Sequence, residues 1–202
     1  MRIRTATADD APGIARVHVD TWRTAYRGIL PADFLNALSY EARTQRWCEN
    51  LAQAGQQQFT LVAEDDGGQV VGFAGGGPER DGMPGYDGEI YAVYVLTHHQ
   101  RCGIGQQLMS VSARHLVDRG FRTATLWALE ANWRARAFYE ALRGQLIGRK
   151  TKVIADTPLV EVAYGWPDLA ELVSAGSPVT ASCTLGADHD PDRSTHPAPQ
   201  RD

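Results

Sequence analysis

Two glycines separated by one residue, in the segment QRCGIG (residues 100–105), have the spacing of a loop that binds phosphate. The run EIYAVYVL before this segment is typical of a strand, and the run GQQLMSVSARHLVDRG has apolar residues at helical spacing. The glycines therefore lie where a strand passes into a helix. Because the first amide groups of a helix lack partners and carry the positive end of its dipole, this turn is predicted to bind an anion.

Two nucleotide-binding motifs are close to this pattern, and the sequence departs from both. A dinucleotide-binding loop requires a third glycine, an early place in a strand–helix–strand unit and an acidic residue after the next strand. The segment lacks the third glycine. A P-loop requires a lysine and then Ser or Thr after the second glycine, where Gln106 and Gln107 stand. A helix start that binds nothing is also open at this point.

The elements around the loop alternate in type. The strand RIRTAT precedes a helix that starts with Thr7 and Asp10 at capping-box spacing and has Pro12 in its first turn. A second helical region is centred on YEARTQRWCENLAQ, and two β-rich runs around DDGG predict a hairpin. After the glycine loop and its helix come the strand RTATLWAL, the helix NWRARAFYEALRG between Asn132 and Gly144, and a final hairpin of QLIGRKTKVI and LVEVAYGW.

The composition of the 202-residue chain is that of a globular protein, with 43% apolar and 22% charged residues. A net charge of -4 gives no electrostatic reason to expect binding to nucleic acid or to an anionic membrane. The N-terminus lacks the apolar core of a signal peptide, and no segment has the length of a membrane span. The three cysteines match neither a disulfide framework nor a metal-knuckle spacing, so a cytoplasmic location is expected.

The chain is predicted to hold one domain and a tail. Residues 1–167 contain all the patterned segments, and residues 168–202 form the C-terminal tail. From about residue 174 the tail is rich in Ser, Thr, Pro and Asp and poor in large apolar side chains, which predicts disorder.

Two motifs in order carry a resemblance to a known family. Gln100, Gly103 and Gly105 match a pyrophosphate loop of the pattern Gln or Arg, two residues, Gly, one residue, Gly or Ala, and Val95 stands five residues before Gln100. Downstream, NWRARAFYEALRG is an Asn-led helix with a Phe-Tyr-Glu triplet and a terminal Gly. Residues 1–167 thus resemble the GNAT superfamily of acyl-CoA-dependent N-acetyltransferases. The resemblance implies an α/β (α+β) fold with a mixed, mostly antiparallel sheet, splayed between strands 4 and 5 and flanked by helices.

The resemblance also implies acetyl-CoA as co-substrate and no metal. Exposed backbone near Val93 and Val95 would bind the pantetheine arm as an added strand does, with Asn132 on its other side. The two valines could instead serve only core packing. Both roles are compatible, because the backbone would bind the arm while the side chains pack in the core. The loop backbone would hold the pyrophosphate through Gln100, Arg101, Cys102, Gly103, Ile104, Gly105 and Gln106. Cys102 stands where the superfamily often has a basic or small residue.

Transfer to an amine requires a deprotonated nucleophile, a polarised thioester carbonyl and a proton for the departing thiolate. The resemblance assigns the general acid to Tyr139 and the carbonyl contact to the backbone N–H of Val95. It assigns to Glu89 a carboxylate that accepts the amine proton through water. A core tyrosine and an idle glutamate at a strand end are the alternatives, because Tyr139 shares a helical face with apolar residues and Glu89 opens its strand.

The acceptor pocket of the superfamily lies between the first two helices and the last hairpin. The candidate substrate-binding residues here are Asp20, Trp22, Tyr26 and Asp87. An aromatic wall beside two carboxylates suits a small cationic amine, although aromatic residues at this spacing are more often core. The predicted function is transfer of an acetyl group from acetyl-CoA to a small-molecule primary amine by direct attack in a ternary complex. Two alternatives stay open: a protein N-terminal or lysine acceptor, and a non-catalytic acyl-CoA sensor. A homodimer is left open as well.

Overall fold

Among residues 1–174, which the computed structural model describes, seven strands and six α-helices follow one another in the order implied by the resemblance. The strands are β1 (Arg2–Thr5), β2 (Phe59–Glu64), β3 (Val70–Pro78), β4 (Gly88–Val95), β5 (Ala124–Leu129), β6 (Gln145–Ile154) and β7 (Thr157–Trp166). The helices are α1 (Ala11–Ala25), α2 (Ala32–Asn36), α3 (Tyr40–Gln53), α4 (Ile104–Asp118), α5 (Trp133–Ala141) and α6 (Leu169–Ser174). The sequence patterns predict all of them except the two short helices α2 and α6.

One sheet contains all seven strands in the order β1-β2-β3-β4-β5-β7-β6. Every neighbouring pair is antiparallel except β4 and β5, which are parallel. The predicted fold, a mixed and mostly antiparallel sheet flanked by helices, is therefore confirmed. The single parallel pair requires a crossover, which α4 supplies between the two strands.

Apolar side chains alternate along the strands and form a core on each face of the sheet. In β2, Leu61 and Ala63 belong to the larger core, which also includes buried residues of α4, α5 and α6. Val62, which points to the opposite face, packs with Ile14 and Val17 of α1. The sheet thus separates a face covered by α4, α5 and α6 from a face covered by α1 and α3.

The N-terminal strand is tied to α1 by an ion-pair network. Arg4 of β1 donates two hydrogen bonds to Asp10, at 2.7 and 2.8 Å, and also pairs with Glu64 of β2. The hydrogen bonds from Arg4 lower the pKa of Asp10 to about 2, although burial acts in the opposite direction. Asp10 also accepts from the backbone N–H of Thr7 at 2.7 Å, which confirms the predicted capping box.

The short helix α6 extends the packed structure beyond the last strand. Leu169 and Leu172 are buried in the larger core, and the Ser110 hydroxyl of α4 donates to the Val173 carbonyl at 2.7 Å. The predicted disordered segment lies almost wholly outside the described residues. Within residues 1–174, no helix is both long enough and apolar enough to cross a membrane.

Candidate active site

The two central strands separate after a short region of pairing. β4 and β5 pair at two positions, Gly88 opposite Ala124 and Glu89 opposite Thr125. On its other edge β4 stays paired with β3 as far as Val95. Both strands are fully described, and beyond Glu89 the β4 backbone has no β5 partner. We call this space between β4 and β5 the gap; it confirms the predicted splay and offers free strand-edge groups to an extended ligand.

An extra residue in β4 redirects its side chains at the start of the gap. The pairing with β3 shifts by one position at Tyr91, which is a β-bulge. Ile90 packs in the larger core, whereas Ala92 and Tyr94 pack against the α1 core. In a regular strand, Ile90, Ala92 and Tyr94 would all lie on one face of the sheet. The bulge therefore directs Tyr94 to the α1 face and increases the local twist that separates the strands.

The glycine loop leads into α4 as the sequence predicts. Gly103 is the N-cap of α4 with φ 79°, a conformation that side chains rarely adopt, and Arg101 has φ 65°. At Gly105 a Cβ atom would lie 3.2 Å from the Phe138 ring of α5, so the two helices approach closely there. The Gln100 side-chain amide donates to the Val95 carbonyl at 2.9 Å and ties the loop to β4. The loop and the start of α4 thus fit a pyrophosphate, because helix-start amides bind anions.

The other residues predicted to contact acetyl-CoA lie around the same gap. Val93 and Val95 turn their side chains into the larger core, so their backbone can serve the gap as predicted. Cys102 is half-buried and packs against that core. Asn132 caps α5, since its side-chain oxygen accepts from the Ala135 N–H at 3.2 Å. These placements agree with the predicted roles without testing them.

Tyr139, the predicted general acid, is a buried residue of α5. Its ring centroid lies 5.7 Å from that of Tyr164 and 6.3 Å from that of Trp166. Burial, with smaller effects of Tyr94 and Tyr164, raises its pKa well above the ordinary value. The hydroxyl is therefore protonated at neutral pH, which is the state that a proton donor requires.

Tyr94 and Tyr26 bring two more hydroxyl groups to the site from the α1 face. Their oxygens lie 3.2 Å apart, and burial raises the pKa of both. Tyr94 also contributes to the raised pKa of Tyr139, although burial is the larger cause. The sequence analysis assigns Tyr26 to the acceptor pocket but gives Tyr94 no role, since a tyrosine in a strand carries no motif of its own.

An aromatic cluster covers Tyr94 on the α1 side. The His18 ring stacks on the Tyr94 ring with 5.4 Å between the ring centroids. The Trp22 ring centroid lies 5.1 Å from that of Tyr26 and 5.3 Å from that of His18. Burial, together with the charge of Arg43, lowers the pKa of His18 to about 3, so the ring is neutral at pH 7. His18 Nε2 is buried and has no hydrogen-bond partner among the described residues. Trp22 and Tyr26 are half-buried and pack within this cluster.

Glu89, the predicted base, is 2% exposed and bound to Arg80. Its carboxylate accepts from Arg80 Nε at 3.0 Å, from the terminal guanidinium nitrogen at 2.6 Å and from the Arg80 backbone N–H at 3.2 Å. The Arg80 guanidinium also lies 3.7 Å from the Tyr91 ring centroid. The base role of Glu89 stays a prediction. In that role the carboxylate would either release Arg80 or act through a water molecule while Arg80 stays bound.

The two aspartates predicted to bind substrate lie apart from one another. Asp20, on α1, accepts from the Tyr40 hydroxyl at 2.6 Å at the surface. Asp87 accepts from the backbone amides of Arg122 and Thr123 and from the Thr123 hydroxyl, and so holds the start of β5. Although burial raises the pKa of Asp87, these hydrogen bonds lower it overall. Asp87 therefore belongs to the closed end of the gap. Within residues 1–174, no group of three acidic, His or Cys side chains could hold a metal ion.

The fold and the site together define an acyl-CoA-dependent transferase: a sheet opened beside a bulged strand, a glycine loop at a helix start, and a buried tyrosine on the helix that packs against that loop. A sequence profile described as Acetyltransferase (GNAT) family matches residues 19–144, and the chain belongs to this family. It is an acyltransferase of the N-acetyltransferase class, as the names of its relatives also indicate.

Two curated relatives and one solved structure illustrate the similarity. An uncharacterized N-acetyltransferase of Bacillus subtilis, YuaI, is 39% identical over 84% of this chain and 95% of its own length. An L-methionine sulfoximine/L-methionine sulfone acetyltransferase of Pseudomonas aeruginosa is 27% identical over 75% of this chain and 84% of its own. The PaiA N-acetyltransferase of Thermoplasma acidophilum, crystallised with coenzyme A, has a TM-score of 0.58 and 16% identity, over 80% of this chain and 96% of its own.

Proposed function

We propose that this protein moves the acetyl group of acetyl-CoA to a primary amine of a small molecule, by direct attack in a ternary complex. The observation that carries the proposal is the gap, which opens beside the glycine loop and beside α5, the helix that holds Tyr139. One face of the gap thus supplies a proton donor, and the other supplies the aromatic cluster of α1.

Acetyl-CoA is the co-substrate that the gap fits. The free edge of β4 would bind the pantetheine arm through the backbone of Val93 and Val95. The first turn of α4, with Gly103 at its cap, would bind the pyrophosphate. A related fold crystallised with coenzyme A supports this choice. The thioester supplies an activated acetyl group, and the protein is left to orient it and to manage two proton transfers.

Tyr139 would act as the general acid. As the C–S bond breaks, its hydroxyl would donate a proton to the thiolate and later recover one from solvent. The structure gives this hydroxyl a raised pKa, so it does not ionise before it is needed. The backbone N–H of Val95 would hydrogen-bond the carbonyl oxygen as negative charge develops there.

A small acceptor is favoured by the chemistry of the aromatic cluster. Trp22, Tyr26 and Tyr94 are half-buried and lie against one another, and such an aromatic surface suits a small cationic amine. The relative that acts on methionine sulfoximine, a small amine, supports the same class. Asp20, at the surface of α1, would attract a cationic acceptor toward this cluster.

A thiol-release assay over amine classes tests the proposal. Purified protein is incubated with acetyl-CoA and with polyamines, amino acids, aminoglycosides or short peptides, and free CoA thiol is measured. We expect saturable release with at least one small amine and none above background with peptides. Release with peptides alone would favour a protein acceptor, and acetyl-CoA binding without release for any amine would favour a sensor.

A further inference from the structure

Glu161 is a buried carboxylate in the otherwise apolar strand β7. Its neighbours Val162 and Tyr164 pack in the larger core, and Glu161 points to the opposite face because side chains alternate along a strand. In the register it lies opposite Leu129, the last residue of β5, and opposite Lys150 of β6. It is therefore placed beside the open end of the gap, where β5 has separated from β4.

One carboxylate oxygen of Glu161 has no hydrogen-bond donor. The side chain is 10% exposed, and Oε1 accepts from Lys152 Nζ at 3.2 Å. Oε2 is buried, accepts no hydrogen bond from any described residue, and lies 3.8 Å from Lys150 Nζ. A buried carboxylate oxygen without a donor is unfavourable, and such groups are rare in native structures. A ligand with an N–H donor would satisfy it.

The Glu161 carboxylate interacts with groups from three other elements. Lys150 and Lys152 of β6 lie against it, and its charge acts on Tyr26 at the end of α1 and on Tyr94 of β4. Asp81 shares Lys150 through an ion pair of 2.6 Å, so it takes part of the positive charge away from Glu161. Burial first, and the Glu161 charge in addition, raise the pKa of Tyr26 and of Tyr94. The carboxylate is thus electrostatically coupled to the hydroxyl pair at the gap.

Glu161 differs from Glu89 in the strength of its partner. Glu89 is fully occupied by the bidentate guanidinium of Arg80, whose planar fork matches a carboxylate. Glu161 has only flexible lysine partners, and the Lys152 side chain is 53% exposed. Lys152 carries a primary alkylammonium group, which is the same kind of cation as a protonated primary amine.

We propose that Glu161 binds the ammonium group of the acceptor at Oε2 and accepts its proton during attack; this assignment rests on the proposed function. The ammonium form binds, and one proton passes from nitrogen to Glu161. The free amine then forms the C–N bond to the acetyl carbon, and the C–S bond breaks. Nitrogen loses a second proton, sulfur gains one from Tyr139, and one proton is released to solvent in the net reaction.

The test compares pH–rate profiles of wild type, Glu161→Gln and Lys152→Met, with the best amine from the thiol-release screen. An alkyl amine has a pKa of about 10, so without an enzymic proton acceptor kcat/KM rises about tenfold per pH unit toward that value. We expect wild-type kcat/KM to level off well below this pH. Glu161→Gln should lose about 10²-fold or more at pH 7 and follow the steep rise, with a loss that shrinks toward pH 10.

Lys152→Met separates this role from a structural ion pair. It breaks the contact to Oε1 but keeps the carboxylate, so kcat/KM should stay within about fivefold of wild type with the plateau retained, as for a weak exposed pair. Acetyl-CoA affinity, measured by calorimetry, should be unchanged in both variants. If Glu161→Gln does not fold, Glu161→Asp takes its place, and we then expect a lower kcat/KM with the wild-type profile shape.

The outcomes distinguish the two proposals. Amine-dependent release with a Glu161→Gln profile parallel to wild type would overturn the role of Glu161 and leave the proposed function standing. Equal losses in Glu161→Gln and Lys152→Met would likewise overturn it, because they would indicate a structural ion pair. A Glu161→Asp variant whose profile follows the steep rise would do the same. Wild-type protein without any amine-dependent release would overturn the proposed function and this inference together.

Discussion

Replacing Tyr139 by phenylalanine removes the proposed acid and keeps the ring that packs against Tyr164 and Trp166. General acid catalysis is typically worth about 10² to 10⁴ in rate. A CoA thiol, by analogy with cysteine, has a pKa of about 8.5, so the leaving group is tolerable without help. Full proton transfer from a tyrosine of ordinary pKa about 10 would already be uphill by about 2 kcal/mol. Burial raises the pKa of Tyr139 further.

These pKa values place the expected loss of turnover at the lower end of the range of about 10² to 10⁴. The hydroxyl stabilises the thiolate mainly by donating a hydrogen bond as charge develops, and the proton moves late. We therefore expect turnover of Tyr139→Phe to fall about 10²-fold, which corresponds to about 2.7 kcal/mol of transition-state stabilisation. Acetyl-CoA affinity should change little, because the ring still fills its site.

Turnover is measured by thiol release at saturating substrates, and acetyl-CoA affinity by calorimetry. Tyr164→Phe is the matched control, because its hydroxyl donates to Glu140 at 2.6 Å and accepts from Arg136 at 3.1 Å rather than serving the gap. This control should lose about 1 kcal/mol of stability and little turnover. A Tyr139→Phe turnover within twofold of wild type would refute the acid assignment, and so would equal losses in both variants.

Three further predictions concern other parts of the molecule. Gly105→Val should weaken coenzyme A binding at least about tenfold by calorimetry, because a side chain displaces α5 and blocks backbone approach; unchanged affinity in a folded variant would contradict the phosphate role of the loop. Because Glu161 is the proposed proton acceptor and Arg80 holds Glu89, Glu89→Gln should leave the ascending limb of the rate profile in place and lower the stability in urea unfolding; a limb shifted to higher pH would return the base role to Glu89. The pKa of Asp10 is lowered from 3.8 to about 2, so its ionised form stabilises the fold above pH 4, and that contribution disappears as the pH falls toward 2. Asp10→Asn should thus cost about 2 kcal/mol in urea unfolding at pH 7 and almost nothing near pH 2; a cost independent of pH would rule out the ion pair with Arg4 as its source.

The parts of the site that sequence could predict are those encoded locally. Gly103 and Gly105 lie between a strand and a helix, and the structure places them at the start of α4. Asn132 caps α5 as its position predicts. Such features depend on residues a few positions apart, so a short window of sequence contains the physical cause. The strand order followed from the resemblance of these windows to a known family rather than from pairing energies.

The parts that sequence could not predict depend on distant contacts. Nothing in the run EIYAVYVL shows that Tyr91 is bulged, and without the bulge an unbroken alternation would not turn Tyr94 toward α1. The ion pair between Glu89 and Arg80 joins residues nine positions apart and has no periodic signature. Glu161 did leave a signal, because a charged residue inside LVEVAYGW is out of place in a buried strand. A charged residue at such a position marks a candidate functional residue.

The arrangement of donor and proposed acceptor follows from the sheet itself. Tyr139 belongs to the core under α4 and α5, whereas Glu161 points to the opposite face of β7. In direct transfer, the attacking nitrogen and the departing sulfur are both bonded to the carbonyl carbon in the tetrahedral intermediate. The groups that serve them must therefore lie on different sides of that carbon. A sheet opened between β4 and β5 would allow this, because Tyr139 would serve the thiol side from one face and Glu161 the amine side from the other. In this proposal the gap would both bind the pantetheine arm and let groups from the two faces of the sheet reach the thioester, because β4 and β5 pair at only two positions.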